Sequence, residues 1–394
     1  MRDRADIVVV GGGIIGCAIA YELARLGRDV VLLERQEIAY GASGRNHGLI
    51  FHPQNPVTEP LYRASLETYR RIAHESEIDI GLDDEPRGTI IVVATDDEWV
   101  TAEAEAKACG AGGIAIERLD EDALGQAEPG LASGHLGGWF INDGYRCDPA
   151  ALTLALALAA GGMGAEVITH TDVKQILVSA GKVAGVATDQ GVIRSEIVVD
   201  AAGPWAPKLA QTAGVDLAIS GGRGWLLLTE SMPPITNHLL ESSGWHLTIG
   251  DSGPRPQLIK SYAGGDAPPL TIGTLIQQNA SGHVLLGSSR VSSLGDHDSE
   301  AAVTREIAQR AARMLPALAE ARISAVWSGV RPMSADGLPL IGWLPKLQGF
   351  FVAGGHGGQG VILGGGTGRL AAELISGTET LADATPFDPA RPPT

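Results

Sequence analysis

The sequence predicts an α/β protein of two domains: a doubly wound, Rossmann-like domain and a second domain built on a mixed β-sheet. Two observations carry that expectation. Residues 7–34 spell a strand, a glycine-rich turn, a helix and a second strand that ends in an acid. Apolar strand patterns bounded by turn residues recur well away from that unit, in "GTIIVVAT", "GRGWLLLTE" and "GHVLLGSSRVSS". The chain has 394 residues, enough for two such domains.

Ile7 to Val10 is an apolar, β-branched strand. Gly11, Gly13 and Gly16 follow at G-x-G-x-x-G spacing, with Ile14 and Ile15 between the last two. Gly11 permits the tight turn, Gly13 lets the backbone approach a pyrophosphate, and Gly16 lets the helix pack closely on the strand. The helical pattern keeps Ala18, Ala20, Leu23, Ala24 and Leu26 apolar and stops at Gly27. Its N-terminus offers free N–H groups and a positive dipole end to phosphates. Val30 to Leu33 is the second strand, ending at Glu34 and Arg35. An acid at this place accepts ribose hydroxyls and disfavours a 2′-phosphate, which argues against an NADP-type ligand.

Further along, Pro60 to Glu75, Glu98 to Ala108 and Glu300 to Leu315 read as helices. "AALTLALALAAGG", residues 150–162, is the most apolar window. It is shorter than the about 20 residues a bilayer needs, so it predicts a buried helix. Asp148 is its N-cap and Pro149 its first residue. Ile176 to Ser179 and Val183 to Thr188 flank a turn, and Ile197 to Val199 is a strand leading into "DAAGPWA". Trp225, Trp245 and Trp327 read as packing residues. The tail "TPFDPARPPT" predicts loose order.

A second glycine turn stands in "FVAGGHGGQGVILGGGTG", residues 351–368. Gly355 to Gly360 again spell G-x-G-x-x-G. Only one helical pattern follows, with no second strand and no acid, so the fingerprint fails as a second dinucleotide site. Its glycines are expected to lay bare backbone and a helix N-terminus against the same ligand.

The formal net charge of -17 disfavours nucleic acid and anionic membranes as partners. Cys17, Cys109 and Cys147 are odd in number and widely spaced, which argues against a disulfide framework and a zinc site. No metal site is expected. The apolar start runs directly into a glycine turn without a cleavage-site pattern, so it reads as a strand and the protein as cytoplasmic.

After Glu34 an NAD domain would continue with further βα units, yet this chain gives "GASGRNHGLIFHP" at 41–53. With that loop, the segment 148–207, and "GVRPMSADGLPLIG" before the second glycine turn, the sequence resembles the family of FAD-dependent D-amino acid, glycine and sarcosine oxidases. The resemblance spans nearly the whole chain and is weakest at 86–144 and 216–300. It implies a flavoprotein in which Ala42, Ser43, Gly44, Arg45, Asn46, His47 and Gly48 wrap the FAD pyrophosphate and approach the flavin. Val173 would hold the adenine through its backbone. Ala201, Ala202 and Gly203, with Trp205 beside them, would pass close to the nucleotide, where small side chains suit a bulky ligand. Gly355, Gly357, Gly358, Gln359 and Gly360 would lie along the flavin ring, the helix dipole favouring negative charge on its N1–C2=O edge. The single-chain sarcosine oxidases carry a flavin-linked cysteine before this loop. "RPMSADGLPLIG" has none, so FAD is expected to be non-covalent.

The same resemblance places Arg331 as the clamp for a substrate carboxylate, a task that suits a planar guanidinium fork. His47, His52 and His356 fall near expected flavin contacts, where a histidine tunes the flavin, contacts substrate or donates a proton. His356 leads as a catalytic candidate, with His52 beside it as a substrate contact. Tyr262 is expected over the flavin from the second domain. Residues 1–85, 145–215 and 321–394 would form the FAD domain, and 86–144 and 216–320 the substrate domain. The implied activity is oxidation of the C–N bond of a small amino acid or secondary amine to an imine. Dioxygen or another acceptor would reoxidise the flavin. A 2-hydroxy acid enzyme, the FAD subunit of a hetero-oligomeric amine dehydrogenase and a non-catalytic flavin protein remain open at this point, as does homo- or hetero-oligomeric assembly.

Overall fold

The computed structural model describes residues 2–51, 53, 55–111, 113–243, 270–291 and 300–391. The chain begins with β1 (Ile7–Val10), α1 (Ile14–Arg25), β2 (Val30–Leu33), β3 (Leu49–Ile50) and α2 (Glu59–Glu75). It continues through β4 (Thr89–Val93), α3 (Asp96–Ala111), β5 (Ile116–Leu119), α4 (Glu121–Ala127), β6 (Gly137–Ile141) and β7 (Tyr145–Arg146). Then come α5 (Pro149–Gly162), β8 (Glu166–Ile168), β9 (Val173–Ser179), β10 (Lys182–Thr188), β11 (Gly191–Arg194), β12 (Ile197–Asp200) and α6 (Ala206–Gln211). The remainder is β13 (Ile219–Thr229), β14 (Leu239–Ser242), β15 (Leu270–Gln278), β16 (Val284–Val291), α7 (Glu300–Met314), β17 (Ile323–Ser334), β18 (Leu340–Trp343), β19 (Phe350–Gly354) and α8 (Gly360–Ser376).

One sheet runs β18-β19-β12-β1-β2-β8, parallel except for β18. Strands β1, β2 and β19 are apolar throughout because both faces are covered. Alternation sorts the side chains. Ile7, Val9, Val30 and Leu32 pack with α1, α2, α5 and α8 on one face. Val8, Val10, Val31 and Leu33 pack with α6 and the small sheet β11-β10-β9 on the other. This three-layer unit is the Rossmann-like domain.

The other large sheet, β17-β13-β16-β15-β14-β4-β6-β5, is mixed, with β14 and β4 parallel and its other neighbours antiparallel. Trp225, Leu227, Leu286 and Ile276 face α7 in a separate core. The intervening residues of β13, Gly224 and Leu226, face a cavity between the sheets. A two-domain α/β fold results. Strand β17 pairs along its length with β13. The chain therefore leaves the mixed sheet after Ser334, not at 321, because eleven residues of β17 find their partners there.

Two expectations are corrected. Asp148 does cap α5, accepting from the Ala150 and Ala151 N–H groups at 2.9 and 3.0 Å. The helix is buried on one side only: Leu152 and Leu156 are inaccessible, whereas Leu154 is 41% and Leu158 58% exposed. A helix that lies outside α1 and β8 has one face to bury, whatever its mean apolarity. The tail is also anchored. Phe387 is fully buried, and Arg391 pairs with Asp336 at 2.7 Å while donating to the Leu338 carbonyl. Among the described residues no helix is long and apolar enough to cross a membrane, and no group of His, Cys, Asp and Glu could hold a metal ion.

Candidate active site

The nucleotide end is built by glycines and backbone donors. Gly11 has φ +114°, and a Cβ there would lie 2.5 Å from the Ala201 carbonyl oxygen. Gly13 caps α1 without a side-chain bond, so N–H groups at that terminus stay available to an anion. Ser43 Oγ accepts one of them, from Ile14 at 2.8 Å, which ties the 41–48 loop to the helix. Glu34 accepts from the Gly12 N–H at 2.7 Å and the Gln36 N–H at 2.8 Å, which fixes its carboxylate at the end of β2. Asn46 donates to the Ala42 and Ser43 carbonyls at 2.9 and 2.8 Å and accepts from the Gly48 N–H at 2.8 Å. The Arg35 guanidinium lies 4.0 Å over the Trp205 ring. The Arg45 guanidinium stacks on Tyr40 at 4.7 Å and donates to the Ser328 carbonyl at 3.2 Å, tying the loop to β17.

From this end a cavity of about 810 Å³ runs between the two large sheets to Arg331. Gly11, Gly13, Ile14, Ile15, Glu34 and Arg35 line its nucleotide end, with Val173, Ala201, Ala202, Gly203 and Trp205. Ala42, Ser43, Arg45, Asn46 and His47 line its middle; His356, Gly357, Gly358, Gln359 and Gly360 line the far wall. Gly16, Gly44, Gly48 and Gly355 are not on the wall. A Cβ on Gly44 would lie 2.5 Å from the Ala39 carbonyl oxygen, and one on Gly16 or Gly48 would overlap the Gly11 or Cys147 carbonyl. Gly355 has φ +76°. These four shape the turns from behind. His52 and Tyr262 lie outside the described residues.

The residues fit FAD. The cavity is elongated, near the upper end of the roughly 300–1,000 Å³ typical of small-molecule sites. One helix N-terminus faces it at the pyrophosphate end, and a second, that of α8, faces it beside Gly357 and Gly358. Of the cysteines whose side chains are described, Cys17 and Cys147 are buried, and neither reaches the cavity.

Arg331 stands at the substrate end. Its Nη2 donates to Ser288 Oγ at 2.8 Å and its Nη1 to the Ser289 carbonyl at 3.1 Å. Gly224 leaves the room, since a Cβ there would overlap Nη1. The accessible part of Arg331 faces the cavity. Burial, and then the nearby charge of Arg290, lowers its pKa to about 9, which leaves it charged at neutral pH.

The histidines depart from expectation. Burial pushes the His356 pKa down to about 3, and its Nε2 lies 2.9 Å from Thr367 Oγ1 of α8. Burial, and next the Arg331 charge, takes His47 down to about 3, against a backbone hydrogen bond to Leu275. A Cβ on Gly287 would lie 2.9 Å from His47 Nε2. Both rings line the cavity, and burial holds both in the neutral form near pH 7. Lone loop positions gave no sign of this burial.

The C-terminal glycines divide in two. Those at 357, 358 and 360 lie on the cavity wall. Those at 364, 365, 366 and 368 are inside α8 and touch other helices instead. A Cβ on Gly366 would lie 2.5 Å from the Leu61 Cα of α2, and one on Gly368 would lie 2.6 Å from the Ala18 carbonyl carbon of α1. The expectation that all of them serve a flat ring is corrected: four of these seven serve close helix packing.

Sequence reading missed Leu226, Glu241, Leu275, Ser288 and Arg290, all on the mixed sheet and all lining the cavity. Period-2 alternation in "GRGWLLLTE" could have placed Leu226 with Gly222 and Gly224 on the face opposite Trp225 and Leu227, whereas in "VLLGSSRV" Ser288 and Arg290 share the parity of the core residues Val284 and Leu286 and gave no such signal.

Asp200 ends β12 beneath the Ala201–Gly203 wall and is fully buried. Its Oδ1 accepts from the Ala202 N–H at 3.1 Å, and Oδ2 has no partner among the described residues. Burial raises its pKa to about 7, against the backbone bond. The folded state therefore binds this proton more tightly than the unfolded chain. Stability present below about pH 4 is lost as pH rises through about 7, on the order of a few kcal/mol. Asp200→Asn keeps the Oδ1 acceptor and removes the titration. The FAD-free variant should melt well above the FAD-free wild type at about pH 8 and alongside it at about pH 4. A gap that does not change across this range contradicts the assignment.

A family model described as FAD dependent oxidoreductase, DAO, matches residues 6–374. The chain is 29% identical over 399 residues to a glycine oxidase of Geobacillus kaustophilus, covering 98% of this chain and 97% of that enzyme. It is 25% identical to a D-amino acid dehydrogenase of Rhizobium rhizogenes, covering 98% and 99%. The crystal structure of glycine oxidase from Geobacillus kaustophilus superposes with a TM-score of 0.85 at 26% identity, covering 99% of this chain and 100% of that one. With a glycine-walled cavity that fits FAD and a half-buried arginine at its far end, the chain belongs to the DAO family of FAD-dependent oxidoreductases, enzymes that oxidise small amine and amino-acid substrates.

Proposed function

We propose that this enzyme oxidises the C–N bond of a small amino acid or secondary amine whose carboxylate sits on Arg331. The observation that carries the reading is the placement of that guanidinium. It lines the cavity, held by Ser288 and Ser289, with the bare backbone of Gly358 beside it. Bound FAD, held without a covalent bond, supplies the hydride acceptor.

Arg331 fixes the carboxylate and so orients the adjacent α-C–H bond toward the glycine wall. Hydride departure from a neutral amine leaves an iminium, which then gives up an N–H proton to solvent to become the imine, so the hydride step itself needs no strong base. The neutral, buried His47 and His356 accord with that. Gly11, Gly13 and the α1 N-terminus hold the pyrophosphate, Glu34 the ribose, and Val173 and Trp205 the adenine end. The α8 N-terminus favours negative charge at the flavin edge beside it. The glycine oxidase and D-amino acid dehydrogenase relatives support an amino-acid substrate and leave the electron acceptor to experiment.

Anaerobic mixing with D-amino acids, glycine, sarcosine, cyclic imino acids and 2-hydroxy acids tests this. Amines or amino acids are expected to bleach the flavin, and admission of air then separates oxidase from dehydrogenase. Bleaching by hydroxy acids alone overturns the proposal.

A further inference from the structure

The nucleotide end holds an acid that lies behind the cavity wall. Asp200 is fully buried and does not line the cavity, although the next three residues, Ala201, Ala202 and Gly203, all do. It closes β12, and parallel pairing sets it opposite Val10, the last residue of β1 before the Gly11 turn. The two backbones stand one strand spacing apart, about 4.8 Å. A Cβ on Gly11 would lie 2.5 Å from the Ala201 carbonyl oxygen, so the turn rests on the residue joined to Asp200. The acid thus sits at the strand ends under the crevice where Gly13 opens the N-terminus of α1.

No charge among the described residues offsets it. Oδ1 accepts from the Ala202 N–H, and Oδ2 is sealed from water with no partner. The paired strands β1 and β19 carry no titratable residue. Of the other elements packed against β12, β10 carries Lys182 and α6 carries Lys208, both exposed. Neither acts on Asp200, whose proton affinity is set by burial and then by the Ala202 bond.

We propose that Asp200 couples FAD affinity to pH: the protein holds FAD tightly while this carboxyl is neutral and loosely once it ionises. This rests on the placement of the FAD pyrophosphate at the α1 N-terminus given above. The pyrophosphate brings two negative charges to the crevice. An ionised Asp200 sets a third beneath them, across protein that screens poorly, and offsets the positive helix terminus. A neutral carboxyl does neither. Linkage makes the effect reciprocal: bound FAD strengthens the hold of Asp200 on its proton, so FAD binding above neutrality takes up a proton. Burial already brings this acid to about 7, so affinity should be level in mild acid and fall above that pH.

The test is equilibrium release of FAD from the holoenzyme, read by free-flavin fluorescence. The wild-type Kd is expected to rise at least about 10-fold between about pH 6 and about pH 9, and that of Asp200→Asn by about 2-fold or less. Reconstitution calorimetry of the wild type, in two buffers of different ionisation enthalpy, should show uptake of about half a proton per FAD near pH 7.5. A flat wild-type profile, the same slope in Asp200→Asn, or no proton uptake overturns this inference. Gly13→Asp checks the placement beneath it, because aspartate is a good N-cap that puts a carboxylate where the phosphates would sit. It should weaken FAD at both pH values. A Gly13→Asp protein that holds FAD as the wild type does overturns the placement and this inference with it. Loss of FAD there beside a flat wild-type profile overturns this inference alone. No amine is present, so the amine-oxidation reading stands or falls separately.

Discussion

Replacing Arg331 with alanine should lower kcat/KM for carboxylate substrates by about 10²- to 10³-fold while FAD stays bound. The side chain is held by Ser288 Oγ and the Ser289 carbonyl, so its fork is oriented before substrate arrives. Truncating one partner of a buried, hydrogen-bonded charge pair costs about 2–5 kcal/mol, and each 1.4 kcal/mol is tenfold. Most of the loss should appear in KM, with a further share in kcat because the α-C–H bond loses its orientation. Arg331→Lys should recover only part, since an ammonium lacks the planar fork. The flavin spectrum should be retained, because the nucleotide-binding turns lie at the other end of the cavity. Unchanged kcat/KM in the alanine variant would remove Arg331 from the substrate site.

Gly366→Ala should destabilise the protein by about 1–4 kcal/mol, although alanine is the better helix former by about 1 kcal/mol. Position 366 faces α2, where an added Cβ would lie 2.5 Å from Leu61 Cα and 2.6 Å from its carbonyl carbon. Those are backbone atoms and cannot rotate away. The helices must separate, and Ser65 Oγ, which accepts from the Gly366 N–H at 2.9 Å, would lose its alignment. Because α8 starts at the flavin wall, FAD affinity should fall with the melting temperature. Gly161→Ala is the control: it lies in α5 with nothing within 4 Å of a built Cβ, and should be neutral or stabilising. Equal melting shifts in the two variants would show that close helix packing is not what position 366 requires.

The two predictions probe different levels of what the chain encodes. The first strand, glycine turn, helix and acid could be read directly, because each depends on residues within one βαβ unit. Strands β1 and β2 and the Asp148 cap fall where periodicity and capping chemistry put them. The C-terminal glycine run was legible only as a run. Residues 358 and 366 are the same amino acid within one segment, yet one faces a cavity and the other a helix. That difference lies in the packing partner, and the partner α2 is nearly three hundred residues away in sequence, as the Tyr69 to Val361 hydrogen bond records.

The histidines teach the same point electrostatically. As loop residues, His47 and His356 have an ordinary pKa near neutrality and invite a catalytic role. Burial, beside Gly287 and Thr367, shifts both toward the neutral form instead. Desolvation depends on everything that covers a group, which no local motif records.

By itself, then, the sequence determined the dinucleotide turn, the acid at the end of β2, the loop at 41–48 and the arginine before Pro332, because spacing and backbone chemistry along one stretch suffice for each. Only the tertiary structure decided which glycines pack helices and which histidines are buried. It alone brought Ser288, Arg290 and the bare β13 glycines beside Arg331. Those residues meet through strand register, and register is set by the pairing of β13, β16 and β17 and not by any one of them.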